Sequence, residues 1–167
     1  VSLRNHSHYS LLSALPKIGP LVKKAKSLGM PAVALTDYSN MYGIIEFYST
    51  CKKEEIKPII GGEFSLRYEE RIFKIVVLAQ TLAGYKNLMR ITSIVNVDNP
   101  LSPTLTDEIL TTYKDGLIVL SGGQWGDVSN LTAIDETLAK KRLAFYKEHF
   151  GEHYYLEINH QISMERG

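Results

Sequence analysis

The chain carries a single cysteine in 167 residues, so it cannot close an internal disulfide, and no second thiol completes a metal or redox pair. Cys51 reads as a packed or idle thiol, which suits the reducing cytoplasm. An excess of one charge is also lacking. Nineteen Lys and Arg against eighteen Asp and Glu leave a net charge of +1, without the basic face of a free-standing nucleic-acid binder. The local lysines (Lys17, Lys23, Lys24 and Lys26, then Lys52, Lys53 and Lys57) read as solvated helix faces. No apolar run approaches the ~18 residues that cross a bilayer, and the longest, such as Ile75–Ala79, has strand length. The N-terminus has no cationic segment leading into an apolar core, so no secretory signal is expected, and its opening Val1 suggests that a few residues precede it. Neither G-x-G-x-x-G nor G-x-x-x-x-G-K-[ST] occurs, which leaves dinucleotide and P-loop sites without support. There is no internal repeat and no low-complexity tract.

What is present is the length and pattern of one α/β domain, at ~150 residues per domain. Short apolar runs alternate with helical spacing, the pattern of βα units around a parallel sheet. Strands are predicted at Val1–Asn5, Ala32–Leu35, Lys57–Phe64, Phe73–Ala79, Leu117–Leu120 and Tyr154–Asn159. Helices are predicted from Pro16 to Gly29, Met41 to Lys53, Gly84 to Asn96, a short one capped by Thr106, and Ile134 to Phe150 with Leu138, Leu143 and Tyr146 inward. Gly61-Gly62 interrupts the third strand, where the backbone must turn or approach something closely. The pattern fits an open doubly wound sheet or part of a barrel, since a whole (β/α)₈ barrel takes ~200 residues or more.

Ligands of parallel α/β folds bind beyond the carboxyl ends of the strands. At those ends stand His6 and His8, then Asp37, Glu63, Ser121 with two glycines, and Asn159 with His160. Imidazoles and carboxylates converging there are what a divalent-metal phosphoesterase needs. His6 and His8, two apart in an extended segment, point the same way and could face one metal. A pair of loop histidines bonded to backbone is the competing reading. Asp37 could equally cap a helix. Glu63, beside two glycines in an apolar strand end, is costly to bury without a cation or donors. His149 and His153, around a helix end, read as surface or capping residues.

These segments resemble the PHP (polymerase and histidinol phosphatase) domain, in the form that opens bacterial DNA polymerase III alpha subunits. Leu3–Leu12 resembles its first motif, Gly29–Asp37 with Asn40–Gly43 its second, and Ile56–Glu63 its third. The likeness continues through Leu78-Ala79, Gly84–Leu88, Gly116–Gly123, Phe145–Phe150 and Tyr155–Glu157. It implies the N-terminal part of a distorted (β/α)₇-type barrel of parallel strands with outer helices. Residues 1–167 would form that portion and end before the last βα units, because the family's final Asp and His ligand pair is not found here.

Active members resemble manganese- or zinc-dependent phosphoesterases with up to three metals, some with 3′–5′ exonuclease activity. This sequence departs from their ligand pattern. The first histidine of their H-x-H falls at Arg4, a downstream acid at Ser13, the histidine after the second motif's Asp at Tyr38, and another histidine at Lys74. His6, Asp37 and Glu63 stay in place, His160 lies near a further ligand position, and His8 matches none. Arg4 and Lys74 would put fixed positive charge where metals would sit. At ~4 Å and an effective dielectric near 20, each unit of like charge costs about 4 kcal/mol, doubled for a divalent ion. Tyr38, a phenol of pKa ~10, is a poor ligand at neutral pH. The two cations would instead pair with Asp37 and Glu63.

The expectation is therefore a catalytically degenerate, metal-free PHP domain. The resemblance implies a scaffold that supports the polymerase core and docks the epsilon proofreading exonuclease subunit. It would meet DNA only through the parent polymerase, whose own domains would use Mg²⁺, and no membrane is involved. The rival reading is an active hydrolase, a 3′–5′ exonuclease or pyrophosphatase, holding Mn²⁺ or Zn²⁺ through His6, Asp37, Glu63 and His160. A third reading takes Ser121-Gly122-Gly123 as an anion nest of an unrelated phosphate-binding module. Tyr9, Tyr38, Tyr42, Tyr48 and Trp125 read mainly as core residues, and an incomplete barrel exposes sheet edges that invite self-association.

Overall fold

The computed structural model describes residues 1–10 and 13–158. Its helices and strands follow in the order α1 (Ile18–Ser27), β1 (Ala32–Leu35), α2 (Ile44–Lys53), β2 (Lys57–Tyr68), β3 (Arg71–Ala79), α3 (Leu82–Asp98), β4 (Thr104–Leu105), α4 (Asp107–Thr112), β5 (Leu117–Leu120), α5 (Asp127–Thr132), α6 (Glu136–Phe150) and β6 (Tyr154–Tyr155). The strands join in one sheet, β1-β2-β3-β5-β6, with β4 paired to β2.

The α/β class and the sheet flanked by helices are as the sequence indicated, but the strands are not all parallel. β1 with β2, β2 with β4, and β5 with β6 run parallel, whereas β3 is antiparallel to both β2 and β5. The reason is the connection: only Glu69 and Glu70 separate β2 from β3, while a parallel crossover takes a dozen or more residues. Glu69 turns the chain with a left-handed φ of 53°.

Other boundaries also moved. Val1–Asn5 makes no strand, only a single parallel bridge from Ser2 to Val33. The Asn5 side-chain amide donates to the Ala34 carbonyl at 3.0 Å, taking the place of a ladder bond. β2 runs through Gly61-Gly62 without a break. The glycines serve close approach instead: a Cβ on Gly61 would lie 2.6 Å from the Leu78 side chain and 2.8 Å from the Val77 carbonyl. β4 and α5 arise where no element was predicted, and β6 is two residues long. Asn159 and His160 lie outside the described residues.

One face of the sheet is covered by helices. Phe64, Leu66, Ile75, Val77, Leu117 and Val119 meet Leu88, Ile91 and Val95 of α3, Leu110 of α4, and Tyr146 and Phe150 of α6. α1 and α2 bury Ile18, Val22, Ala25, Ile44, Phe47 and Cys51 against β1, at the three- and four-residue spacing of one helix face. On α6 Tyr146 is buried as expected and Leu138 is half-buried, but Leu143 is exposed, and Ala139, Arg142 and Phe150 complete the buried face. The seven lysines singled out in the sequence are all exposed.

Residues on the opposite face of β2 and β3 alternate with these. That face is apolar at one end, where Val76, Leu78 and Leu120 cluster with Ile59 and Ile118. It turns polar at the other end, where Glu63 and then Ser65, paired across the hairpin with Lys74, follow along β2. This polar end is the carboxyl end of β1 and β2.

Candidate functional site

Four segments bring the site together: the N-terminal segment, the loop after β1, the middle of β2 and the loop after β5. Tyr38 bridges to Glu63 in parallel register. The Glu63 N–H donates to the Asp37 carbonyl at 3.1 Å, and the Ser39 N–H donates to the Glu63 carbonyl at 2.8 Å. These bonds stitch the loop after β1 to β2.

Glu63 is 1% exposed, and both of its carboxylate oxygens are engaged. Arg4 grips it bidentately, Nε to Oε2 at 2.6 Å and Nη2 to Oε1 at 2.9 Å. His6 Nε2 lies 3.0 Å from Oε2. Arg4 also donates from Nη1 to the Gly122 carbonyl at 3.2 Å, so the loop after β5 takes part. Gly122 has φ +76°, and a Cβ there would lie 2.1 Å from the Lys74 carbonyl oxygen. Burial raises the Glu63 pKa, but hydrogen bonds from His6 and Arg4 with the Arg4 charge outweigh it and hold the carboxyl below its ordinary range. The pair is charge-assisted, planar and two-pronged, the strongest form of such a contact.

Asp37 did not take the second cation. Its carboxylate accepts from the Ser7 N–H (2.6 Å), the Ser7 hydroxyl (2.7 Å) and the Ser10 hydroxyl (2.6 Å). Ser10 in turn accepts from the Tyr38 N–H at 3.1 Å. Asp37, Ser7 and Ser10 are all buried, so the carboxylate is spent on folding the N-terminal segment over β1. Ser7 and Ser10 escaped the sequence reading. The available signal was that a buried carboxylate without a cation needs several donors.

Lys74 likewise finds no carboxylate among the described residues. Its Nζ donates to Ser65 Oγ at 3.1 Å and stands 5.1 Å from the centre of the Tyr38 ring. The Tyr38 ring stacks on His6 with centroids 4.2 Å apart and planes 11° from parallel. Burial and the Glu63 charge raise the Tyr38 phenol's pKa, Arg4 pulling the other way. The stack is therefore Lys74, Tyr38 and His6, ending on Glu63.

Ser13 is exposed and lines a hollow of about 970 Å³ shared with Arg4, His6 and His8. His8 does not join His6 on Glu63; its ring leans on Tyr9 with centroids 4.3 Å apart. His160, the remaining expected position, lies outside the described residues. Among the described residues no three His, Cys, Asp or Glu side chains are placed to hold one metal ion. The Ser121-Gly122-Gly123 loop is turned to internal use: Ser121 Oγ accepts from the Glu157 N–H at 2.9 Å, and the Gly122 carbonyl accepts from Arg4.

A second buried charge cluster lies on the helical side. Arg142, 2% exposed, donates from Nε to Asp127 at 2.7 Å and from Nη1 and Nη2 to Asp107 at 2.5 and 2.9 Å. Its Nη2 also donates to the Tyr146 hydroxyl, which donates to Asp127 at 2.7 Å. This cluster ties α4, α5 and α6 together.

Residues 2–161 match the PHP domain family. The chain is 40% identical over 164 residues to DNA polymerase III subunit alpha of Vibrio cholerae and 39% identical over 164 residues to that of Escherichia coli K12. It is 37% identical over 162 residues to the alpha subunit of Halalkalibacterium halodurans. Each alignment covers 95% of this chain and 14% of the relative, so the chain spans about one-seventh of their length. Among solved structures, an amidohydrolase from Chromobacterium violaceum with bound sulfate and no metal superimposes with a TM-score of 0.68 at 13% identity, over 93% of this chain and 75% of that one. A protein described as a metal-dependent phosphoesterase, from Bifidobacterium adolescentis, gives 0.54 at 12% identity, over 89% of this chain and 83% of that one. With its fold and nearly its whole length matched, the chain belongs to the PHP domain family, and within it to the PHP domains of bacterial DNA polymerase III alpha subunits.

Proposed function

We propose that this PHP domain serves a DNA polymerase III alpha subunit as a metal-free structural and docking element, with no hydrolysis of its own. The observation that carries the reading is the Arg4 guanidinium on both oxygens of Glu63. A metal drawn to that carboxylate would compete with a bidentate ion pair and sit beside a fixed positive charge. At ~4 Å and a dielectric near 20 that neighbour costs a divalent ion about 8 kcal/mol. Asp37 offers no compensation, since three short hydrogen bonds already occupy it. The donor set therefore does not fit the manganese or zinc cluster of an active phosphoesterase. Glu63, held ionised, is also unfit to donate a proton as a general acid.

In this reading the ion pair replaces a metal cluster as the tie between the N-terminal segment, β2 and the loop after β5. The remainder of the alpha subunit and the epsilon proofreading exonuclease subunit are its partners, and DNA is met through the polymerase as a whole. As part of a replication protein it would reside in the cytoplasm; separately, no helix among the described residues is long and apolar enough to cross a membrane. The test is co-elution of this chain with the exonuclease subunit on size exclusion, with and without excess EDTA. A complex indifferent to the chelator is expected. Absence of a complex, or one that forms only with added Mn²⁺ or Zn²⁺, would overturn the proposal.

A further inference from the structure

Two hollows flank α3. One, of about 500 Å³, lies between α2 and the start of α3, where Ile45, Tyr48, Leu82 and Tyr85 line it. It reaches Pro58 at the start of β2, away from the polar end of the sheet that carries Glu63. The other, of about 540 Å³, lies between α3 and the end of α4, where Lys86, Met89, Arg90 and Tyr113 line it. Leu82, Lys86, Met89 and Ser93 follow one another at the four- and three-residue spacing of one helix face, so a single stripe of α3 joins the hollows. At 1.5 Å per residue that stripe is ~16 Å long. Apolar side chains scattered singly on a surface need no explanation, but these stand together. Ile45 is 74% exposed, Leu82 70% and Tyr48 45%, and they share the first hollow.

The charge around this apolar stripe has one sign. No Asp or Glu lines either hollow. α3 carries no acid before Asp98. Glu46, the acid of α2 beside Ile45, turns to the Tyr9 hydroxyl, which donates to it at 3.4 Å. Against these stand three exposed cations. Lys52 Nζ lies 5.5 Å from the centre of the Tyr48 ring, and Lys86 and Arg90 rise from α3 itself. None of the three makes an ion pair among the described residues.

We infer that this face docks an acidic amphipathic helix of a partner protein, with its apolar side chains in the two hollows and its carboxylates on Lys52, Lys86 and Arg90. A helix laid along α3 sets side chains at i, i+3 or i+4, and i+7 into the furrows beside the stripe. About three turns of such a helix span its length. The unpaired cations choose the sign of the partner and steer its approach. A second copy of this chain is the wrong occupant, because it would bring the same cations face to face. Nucleic acid fits less well, because the two most exposed side chains, Ile45 and Leu82, are aliphatic and give a base no ring to stack on. The face lies apart from the Arg4–Glu63 pair, so its docking does not depend on the metal-free reading.

The experiment is a ¹H–¹⁵N titration of the labelled chain with a designed peptide of about 15 residues, long enough to hold a helix. It carries Leu at three- and four-residue spacing, Glu on the flanks and Ala elsewhere. The same peptide with Lys for Glu, and a short oligothymidylate, are titrated beside it. Expected for the Glu peptide is a Kd of about 100 µM or tighter, weakening as salt is raised, with shifts gathered on the amides of Ile45, Tyr48, Leu82, Lys86 and Met89. The double variants Lys86→Glu with Arg90→Glu, and Ile45→Ser with Leu82→Ser, should each weaken it at least tenfold while keeping the dispersed spectrum of a folded chain, since all four side chains are exposed. Undisturbed amides on α2 and α3, a Lys peptide that binds as well as the Glu peptide, a double variant that binds like the parent, or an oligothymidylate that shifts the same amides at lower concentration would overturn the inference.

Discussion

Arg4→Met is the perturbation that isolates the ion pair. It keeps the length of the side chain and removes the guanidinium, leaving Glu63 buried at 1% exposure with His6 as its remaining charged or polar partner. Removing one partner of a buried pair costs roughly 3–5 kcal/mol. Arg4 retains 19% side-chain exposure, so the lower end, about 3 kcal/mol, is expected. For a chain of this size that corresponds to a fall in Tm of about 6–12 °C. The pH dependence carries the sharper test. In the parent, the Glu63 pKa is depressed, so its contribution is present above the unfolded carboxyl range of ~4.3 and is lost as pH falls through the folded value. Without Arg4, burial raises the same carboxyl, and the variant recovers relative stability as Glu63 takes up a proton. The gap between parent and variant should therefore be widest at neutral pH and narrow toward pH ~4. Urea unfolding at a series of pH values reads both quantities, and the double variant Arg4→Met with Glu63→Met should regain most of the loss. A single-variant cost below about 0.5 kcal/mol, or a gap that does not change with pH, would refute the reasoning.

Four further outcomes follow from other parts of the structure. Asp37→Asn places an amide among three donors and should cost about 2–3 kcal/mol, with the Ser7 amide losing hydrogen-exchange protection ahead of the β3 core. Arg142→Leu, which strands Asp127 in the core, should cost about 3–5 kcal/mol by thermal unfolding. Lys140→Ala, which breaks only the exposed pair with Glu136 on the same helix, should stay within about 0.5 kcal/mol. Burial pushes the Cys51 thiol up to about 11. At pH 8 it should react with Ellman's reagent only as fast as the chain opens, and urea should accelerate the reaction to the rate of a free thiol.

The parts of the fold legible in the sequence were those with a local cause. Thr106 caps α4 by accepting from the Ile109 N–H, and the apolar runs at β1 and β5 stand where they were placed. Strand direction was hidden because alternation has no sign. Glu69-Glu70 lacks the Asn-Gly or Asp-Gly signature of a two-residue hairpin, although the short gap before Phe73 already argued against a parallel crossover. On α6 the inward face was misplaced at Leu143, because Asp107, Asp127 and Tyr146 draw Arg142 into the core instead. At the site, the family resemblance implied that Arg4, His6, Tyr38, Glu63 and Lys74 share one neighbourhood, and the structure brings them together. The pairing itself was only half legible. Glu63 takes Arg4, while Asp37 is satisfied by Ser7 and Ser10, 30 and 27 residues before it in sequence. Hydroxyl donors leave no pattern in composition or spacing, which is why that half was missed.

The central claim is that the Arg4–Glu63 pair stands where an active relative would hold metal. Its most direct measurement is a metal count. The chain is loaded with Mn²⁺ and Zn²⁺, desalted and analysed by plasma mass spectrometry, beside a form extended toward the length of its relatives and a His6→Ala control. Retention of no metal by either form is the expected result. Two or three ions per chain, lost on His6→Ala, would contradict the account.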